Sequence, residues 1–339
     1  MLPSSPLFGK TLSELSQIVS ELSLPAFTAR QIADWLYKKN VSSIEEMTNL
    51  SAKARALLAE NYILGVSEPL AVQTSEDGAK KYLFPALDGK CVEAAYIPDR
   101  ERATLCISSQ VGCRMGCAFC MTARQGMQGN LTATGILNQF RSLPEREGLT
   151  NIVFMGMGEP FDNLDEVMKS LEILTSDYGY AWAPKRITVS TIGIIPAVRH
   201  FMDNSRCHLA VSLHHPNSEE RRKLMPVENK YPIRQVVDLL KTYDLNKQRR
   251  ISFEYIMLAG VNDSLQQAND VVRLLSGLRC RVNLIRFHAI PASPFKSSSE
   301  QVIQQFADAL NKKGLITTIR QSRGMDIDAA CGMLSTKRN

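Results

Sequence analysis

An α/β fold is predicted, built as a partial barrel of six βα units with a small helical module and a short β-rich connector before it. Three observations predict it. From about residue 103, six short apolar runs alternate with six helix-length amphipathic stretches, the pattern of parallel βαβ units. Residues 1–65 carry helical periodicity, and residues 66–102 carry strand-like runs separated by turn signals. The length, 339 residues, suits one large domain with a smaller one. Six units fall short of the eight that close a barrel.

The elements follow in order. In TLSELSQIVSELS, Leu12, Leu15, Ile18, Val19 and Leu22 share one helix face, with Thr11 as N-cap. Further helices are expected in TARQIADWLYKK from Thr28 and SAKARALLAENY from Ser51. Strands are expected in KKYLFPAL (80–87) and KCVEAAYI (90–97), punctuated by Glu76-Asp77-Gly78 and Asp88-Gly89. The six barrel strands are ATLCIS (103–108), NIVFM (151–155), RITVS (186–190), HLAVSL (208–213), ISFEYIM (251–257) and RVNLIRF (281–287). Their helices are expected near 132–143, 163–176, 193–203, 232–245, 263–276 and 299–313. The domain boundaries that result are 1–65, 66–102 and 103–339.

Composition narrows the class. The chain is 44% hydrophobic and 22% charged, which excludes long disorder, collagen and coiled coil. MLPSSPLFGKTLSELS has neither the basic nor the apolar region of a signal peptide, and no apolar run reaches the roughly 18 residues of a membrane helix. A cytoplasmic setting is expected, where eight cysteines stay reduced and point to metal binding or catalysis. The net charge of +6 is uneven. Residues 1–90 carry nine Lys/Arg against ten Asp/Glu, whereas residues 181–250 carry thirteen against six. Such a stretch fits a polyanionic partner, and fits a solvated face equally well.

Ligands of α/β folds sit beyond the C-terminal ends of the strands, and the chemistry-bearing residues lie there. The first βα loop holds Cys113, Cys117 and Cys120 in a C-x3-C-x2-C spacing. A structural zinc takes four ligands, whereas three close thiolates suit a cubane iron–sulfur cluster with one open iron. A zinc loop completed by a distant ligand is the alternative. After the second strand comes Gly156-Met157-Gly158-Glu159-Pro160, whose glycines admit close backbone approach and whose Glu159 can accept from an ammonium. Ser190, Ser212-Leu213-His214 and His288 stand at the ends of later strands. Each alone would pass for a packing or turn residue; their common placement makes them candidate ligand-binding residues.

The cysteine spacing, with Phe119 before the last cysteine and in the first loop of a βα repeat, resembles the radical S-adenosylmethionine (SAM) superfamily. The resemblance implies a radical SAM barrel, a [4Fe-4S] cluster on Cys113, Cys117 and Cys120, and SAM chelated at the open iron. Gly158 and Glu159 then correspond to the GGEP motif that binds the SAM amino group. Ser190, Ser212, Leu213, His214 and His288 would complete the SAM site. VEAAYIP, TLCISSQVGCRMGCAFC, GMGEP, SLHHPN, EYIMLAGVND and RGMDIDAACG resemble the RlmN-type dual-specificity RNA methyltransferases more closely, over nearly the whole chain.

That likeness implies methylation of C2 of adenine 2503 in 23S rRNA and of adenine 37 in tRNAs. The related Cfr methylates C8 of the same rRNA adenine. Two SAM molecules are implied, one methylating Cys331 and one cleaved reductively so that the methyl becomes a radical that adds to C2. Cys106 then resolves the protein–RNA crosslink, leaving a Cys106–Cys331 disulfide for an external thiol reductant. An external electron donor serves the cluster. From its strand alone Glu93 reads as outward-facing; the resemblance makes it the family's proton acceptor, and burial between Val92 and Ala94 would favour proton uptake. Cys91, Cys207 and Cys280 are read as structural. His288 stands where many relatives have Asn, and His215 gets no role. The N-terminal module is expected to aid RNA recognition. The target base must leave its stack, and Lys185, Arg186, Arg221, Arg222, Lys223, Lys230, Arg249 and Arg250 are candidate phosphate contacts. A monomer without membrane contact is expected. Rival readings are a radical SAM enzyme for a small molecule and a non-catalytic, zinc-containing RNA-binding protein.

Overall fold

The computed structural model describes residues 5–245, 250–327 and 333–336. The strand pair β1 (Ser5–Pro6) and β2 (Tyr62–Ile63) joins the two ends of a helical module. Within it, α1 (Leu12–Glu21) starts at Thr11, whose hydroxyl accepts the Glu14 N–H while the Glu14 carboxylate accepts the Thr11 N–H. This reciprocal cap satisfies two donors that a helix start leaves open. Leu15, Ile18 and Val19 turn inward, as their spacing predicts. α2 (Thr28–Asp34) widens into a π-turn at Trp35–Lys39, and α3 (Ala52–Asn61) is capped by Ser51.

Three antiparallel strands follow: β3 (Ala71–Thr74), β4 (Lys80–Pro85) and β5 (Cys91–Asp99). β5 also pairs with β6 (Arg102–Cys106), the first strand of the alternating region. The hairpin of β7 (Gln110–Gly112) and β8 (Met127–Asn130) brackets the cysteine loop and the short α4 (Met121–Arg124). Helices and strands then alternate through α5 (Ala133–Arg141), β9 (Asn151–Phe154), α6 (Leu164–Thr175), β10 (Ile187–Thr191), α7 (Ile195–Asn204), β11 (His208–Ser212), α8 (Ser218–Leu224), α9 (Ile233–Lys241), β12 (Ile251–Met257), α10 (Leu265–Leu275), β13 (Arg281–Arg286), α11 (Glu300–Lys312) and β14 (Thr317–Ile319). The short α12 (Met333–Thr336) lies beyond.

The main sheet runs β14-β13-β12-β11-β10-β9-β6-β5-β4-β3. β6 and β9 through β14 are parallel, and β3 to β5 extend the sheet antiparallel beyond β6. The two edge strands do not pair, so the barrel is open. All six expected strand–helix pairs are present, but the parallel set has a seventh strand, β14. Its three residues, with Thr318 exposed, carry too little apolar pattern to read as a strand. α8 is also an addition, inserted between β11 and α9.

Alternation sorts the side chains. On β10, Ile187 and Val189 are buried under the helices, while Thr188 and Ser190 face the barrel interior. The N-terminal module packs on the outside of the barrel. Lys169 of α6 pairs with Glu14 at 2.9 Å, the Thr134 hydroxyl donates to the Phe8 carbonyl at 2.6 Å, and the Tyr37 ring meets Tyr180 edge-on at 5.6 Å. One continuous apolar core runs from α1 to α11. Among the described residues no helix is long and apolar enough to cross a membrane.

Candidate active site

A cavity of about 470 Å3 opens at the C-terminal ends of the parallel strands. Cys113, Cys117 and Cys120 line it together with Gly158, Glu159, Ser190, Ser212, His214 and His288. These residues come from five separate loops or strand ends, and the fold brings all of them to one cavity. Leu213 is the exception: its side chain is fully buried in the main core, so only its backbone bears on the site.

The cysteine loop is held at several points. The Cys113 N–H donates to the Gly126 carbonyl, the Cys120 N–H to the Cys117 carbonyl, and the Ala118 N–H to the Leu224 carbonyl at the end of α8. Burial pushes the Cys113 thiol up to about 12, helped by the negative groups of Glu159, Cys120 and Asp162. Cys117 is pushed well above the usual thiol range by burial, then by Cys120 and Cys113, with Arg221 opposing. Three thiols that crowd one another in an apolar corner are a poor place for bare thiolates and a good one for a cation that replaces their protons. Among the described residues no three His, Cys, Asp or Glu side chains close on a point small enough for a single metal ion. The thiols share a cavity wall instead, which leaves room for a group of several atoms. Three thiols of one loop suit a cluster that keeps one iron open, and the residues present fit that group.

Glu159 is fully buried. One carboxylate oxygen accepts the Phe161 N–H and the other the Ile192 N–H, both at 3.0 Å, and its own N–H donates to the Gln110 side chain at 2.8 Å. Burial raises its pKa to about 7, against the lowering effect of these bonds. Gly158 precedes it at φ +98°, a left-handed conformation, and a Cβ there would fall 2.5 Å from the Gln110 Cβ. Gly158→Ala is expected to cost about 1–3 kcal/mol and to lower the calorimetric midpoint of unfolding.

His214 is also left-handed, at φ 54°. Its Nδ1 accepts the Ile256 N–H at 3.0 Å, and burial, then Arg221, lowers its pKa to about 3. The neutral ring therefore carries its proton on Nε2, as a donor. The ring packs edge-on to Phe119, with centroids 4.8 Å apart. Asn262 holds this turn: its amide donates to the His214 and Ile256 carbonyls, each at 2.7 Å, and its oxygen accepts the Leu258 N–H. His288 meets the Ser322 hydroxyl at 3.0 Å. Its pKa is lowered by burial and then by Lys81 and Arg286.

Arg221 corrects an expectation. It was a candidate phosphate contact, yet it has no exposed surface. It is ion-paired with the equally buried Glu228 and donates to the carbonyls of Leu213, Ile192 and Ser212. Arg249 lies outside the described residues, whereas Lys185, Arg186, Arg222, Lys223, Lys230 and Arg250 are exposed.

Glu93, on β5, is 4% exposed. One of its oxygens pairs with Lys81 of β4 at 2.9 Å, and the other accepts the Ser335 N–H of α12 at 2.7 Å. α12 is thereby pinned against β5. Met333 packs on the apolar cluster of Ile192, Leu224, Met225 and Phe287, which also receives Cys117 and Phe119. Cys331 lies outside the described residues; Met333 and Ser335 follow it by two and four positions. Cys106 is buried at the end of β6, opposite Ala95 of β5. No disulfide joins two described cysteines.

Sequence reasoning missed three residues here. Lys81 is a buried cation on an inward strand position. Asn262 is a buried amide in a Val-Asn-Asp turn. Glu254 lines the cavity from β12 and accepts from the Ser252 hydroxyl and the Asn283 amide. Only Glu254 left a readable sign, a lone acid within the apolar run ISFEYIM.

Comparison with known proteins agrees with this geometry. Residues 107–272 match the radical SAM superfamily model, and residues 6–64 match that of the ribosomal RNA large subunit methyltransferase N-terminal domain. The chain is 57% identical over 337 residues to the probable dual-specificity RNA methyltransferase RlmN of Bacteroides fragilis, covering 99% of this chain and 98% of that protein. It is 42% identical over 333 residues to the dual-specificity RNA methyltransferase RlmN of Halorhodospira halophila, covering 97% and 92%. The crystal structure of a radical SAM methyltransferase from Sphaerobacter thermophilus superimposes with a TM-score of 0.90 at 38% identity, covering 97% of this chain and 99% of that one. On this evidence the chain belongs to the RlmN family of dual-specificity RNA methyltransferases, within the radical SAM superfamily.

Proposed function

We propose that this protein methylates C2 of adenine 2503 in 23S rRNA and of adenine 37 in tRNAs, with a [4Fe-4S] cluster on Cys113, Cys117 and Cys120 and SAM as methyl donor. One observation carries the reading: the three cysteines and the strand-end residues Gly158, Glu159, Ser190, Ser212, His214 and His288 line a single cavity in a chain of this family. The relatives named above give no support to C8 methylation of the Cfr kind. In the same reading residues 1–65 are an RNA-recognition module, 66–102 a connector and 103–339 the catalytic unit. Every residue invoked comes from one chain, so a monomer suffices, in the cytoplasm where rRNA and tRNA are found.

C2 of adenine is an electrophilic CH carbon that cannot attack a methyl sulfonium. When bound, the reduced cluster and SAM supply the one-electron chemistry and the methyl group that this carbon demands. The protein's residues do the rest. The buried Glu159 carboxylate would accept from the SAM ammonium, and the Ser190 and Ser212 hydroxyls would serve its carboxylate and ribose. His214 offers Nε2–H as a fixed donor, and His288 can donate or accept where relatives carry Asn. Met115, Phe119, Met155 and Phe287 line the same cavity and exclude water. Cys331, methylated as its thiolate by one SAM, carries the methyl carbon to C2 as a thioether. Glu93 takes the C2 proton as the carbon rearomatises. The Cys106 thiolate then attacks the Cys331 sulfur and breaks its bond to the methylene carbon, which takes up a proton and becomes the product methyl. The disulfide so formed is returned to two thiols by an external reductant.

Two measurements test this. The anaerobically reconstituted protein is expected to hold about four irons per chain, and Cys117→Ala far fewer; a single tight zinc without iron would overturn the cluster. Mass mapping of rRNA and tRNA from cells with and without the gene is expected to show 2-methyladenosine only with it. An 8-methyladenosine product, or no difference, would sink the proposed activity.

A further inference from the structure

A second cavity, of about 900 Å3, lies at the opposite end of the barrel, where the parallel strands begin. The inward alternation that sends Ser190, Ser212 and Glu254 to the cluster end sends Thr188, His208 and Ser252 to this floor. The two cavities adjoin along Ile97, Arg320, Gln321 and Arg323, which line both. Nothing in the proposed chemistry uses the floor.

Six arginines line it, and four of them stand at the ends of four different strands. Arg102 opens β6, Arg250 precedes β12, Arg281 opens β13 and Arg320 follows β14. None of the four makes an ion pair with a described carboxylate. They are close enough to act on one another: Arg250 is held below the usual arginine range by partial burial, then by Arg281, Arg102 and Arg320. Two acids, Asp99 and Glu101, sit on the lining, and Asp99 is taken by Arg323 at 3.0 Å. Converging guanidinium groups without counter-ions repel one another unless an anion joins them. Planar forks of N–H donors match phosphate oxygens in particular. A cavity near the upper end of the range for ligand sites is too large for one inorganic phosphate and fits a stretch of nucleotide chain.

We propose that Arg102, Arg250, Arg281 and Arg320 bind backbone phosphates of the RNA strand beside the target adenosine, so that the base reaches the cluster cavity from the barrel floor. The proposal rests on the RNA-methyltransferase reading. It differs from the sequence expectation, which sought phosphate contacts along residues 181–250. Of those candidates Lys185 and Arg250 line this cavity; Arg102, Arg281 and Arg320 come from distant segments.

The test compares wild type with Arg250→Gln/Arg281→Gln, with Arg250→Lys/Arg281→Lys, and with Arg199→Gln, an exposed arginine on the outer helix α7. The probe is a labelled, unmodified tRNA transcript. The double Gln variant is expected to raise Kd about tenfold and to lower the slope of log Kd against log salt by about 1–2, one for each lost phosphate. Its KM for RNA should rise while kcat at saturating RNA is kept. The Lys variant should retain most of the slope and guards against misfolding of the Gln variant, as does an unchanged melting midpoint. Arg199→Gln should behave as wild type. A folded double Gln variant with wild-type Kd and slope overturns the proposal. So does tight binding of ATP, used as a small phosphate probe, that the Gln changes abolish while tRNA binding stays intact; the floor would then serve a free nucleotide. Failure of the wild type to bind or methylate the transcript would instead strike the RNA-methyltransferase reading itself.

Discussion

Replacing Arg221 with Met is expected to cost roughly 3–5 kcal/mol of stability, and to lower the melting midpoint by on the order of 10 °C. The cause is the charge left behind. Arg221 and Glu228 are both fully buried, so removal of the cation strands a carboxylate in the protein interior. Three carbonyls lose their donor as well, those of Leu213, Ile192 and Ser212. Those carbonyls belong to the turns after β10 and β11, which carry His214 and the amide that binds Glu159. The same change should therefore loosen the cofactor wall, and SAM affinity should fall with stability. Arg221→Lys keeps the charge but cannot reach four acceptors with one ammonium, so a loss of intermediate size is expected. Adding Glu228→Gln to Arg221→Met should recover part of the stability by removing the buried charge, but not the part due to the carbonyls. Chemical denaturation of wild type, Arg221→Met, Glu228→Gln and the double variant measures this cycle. Additive losses would mean that the two residues do not act as a pair.

Arg221 also shows where sequence reasoning stops. In SEERRKL it reads as one of three solvated cations, and only the packing of α8 against two strand-end turns reveals it as interior. The barrel units were legible because their strands and helices carry their own period, and the helical module because Thr11 and Ser51 mark helix starts. β14 was not legible, since three residues of Thr-Thr-Ile become a strand only by pairing with β13. The cysteine spacing and the Gly158-Glu159 turn were readable as local motifs. The floor arginines were not, since they lie on Arg102, Arg250, Arg281 and Arg320, and no local pattern links positions so far apart.

Glu93 gives the second large effect, and its partner Lys81 makes the effect separable. Glu93→Gln is expected to reduce single-turnover product formation by about 10²–10⁴-fold, the range for loss of a positioned acid–base group. It also leaves the buried Lys81 ammonium, 4% exposed, without its carboxylate, at a cost of about 3–5 kcal/mol. A drop in activity alone would then be ambiguous, because a destabilised strand β5 would also disturb α12, whose Ser335 N–H rests on Glu93. Lys81→Met combined with Glu93→Gln resolves it. The pair of changes removes both charges, and the Gln side-chain oxygen can still accept the Ser335 N–H. Stability should therefore return toward wild type in the double variant. Turnover should not return, since no group remains to take the C2 proton. A double variant that regains both stability and turnover would show that Glu93 only anchors the C-terminal segment, and the proton acceptor would have to be sought in the cavity wall, where Glu254 is a buried carboxylate to replace.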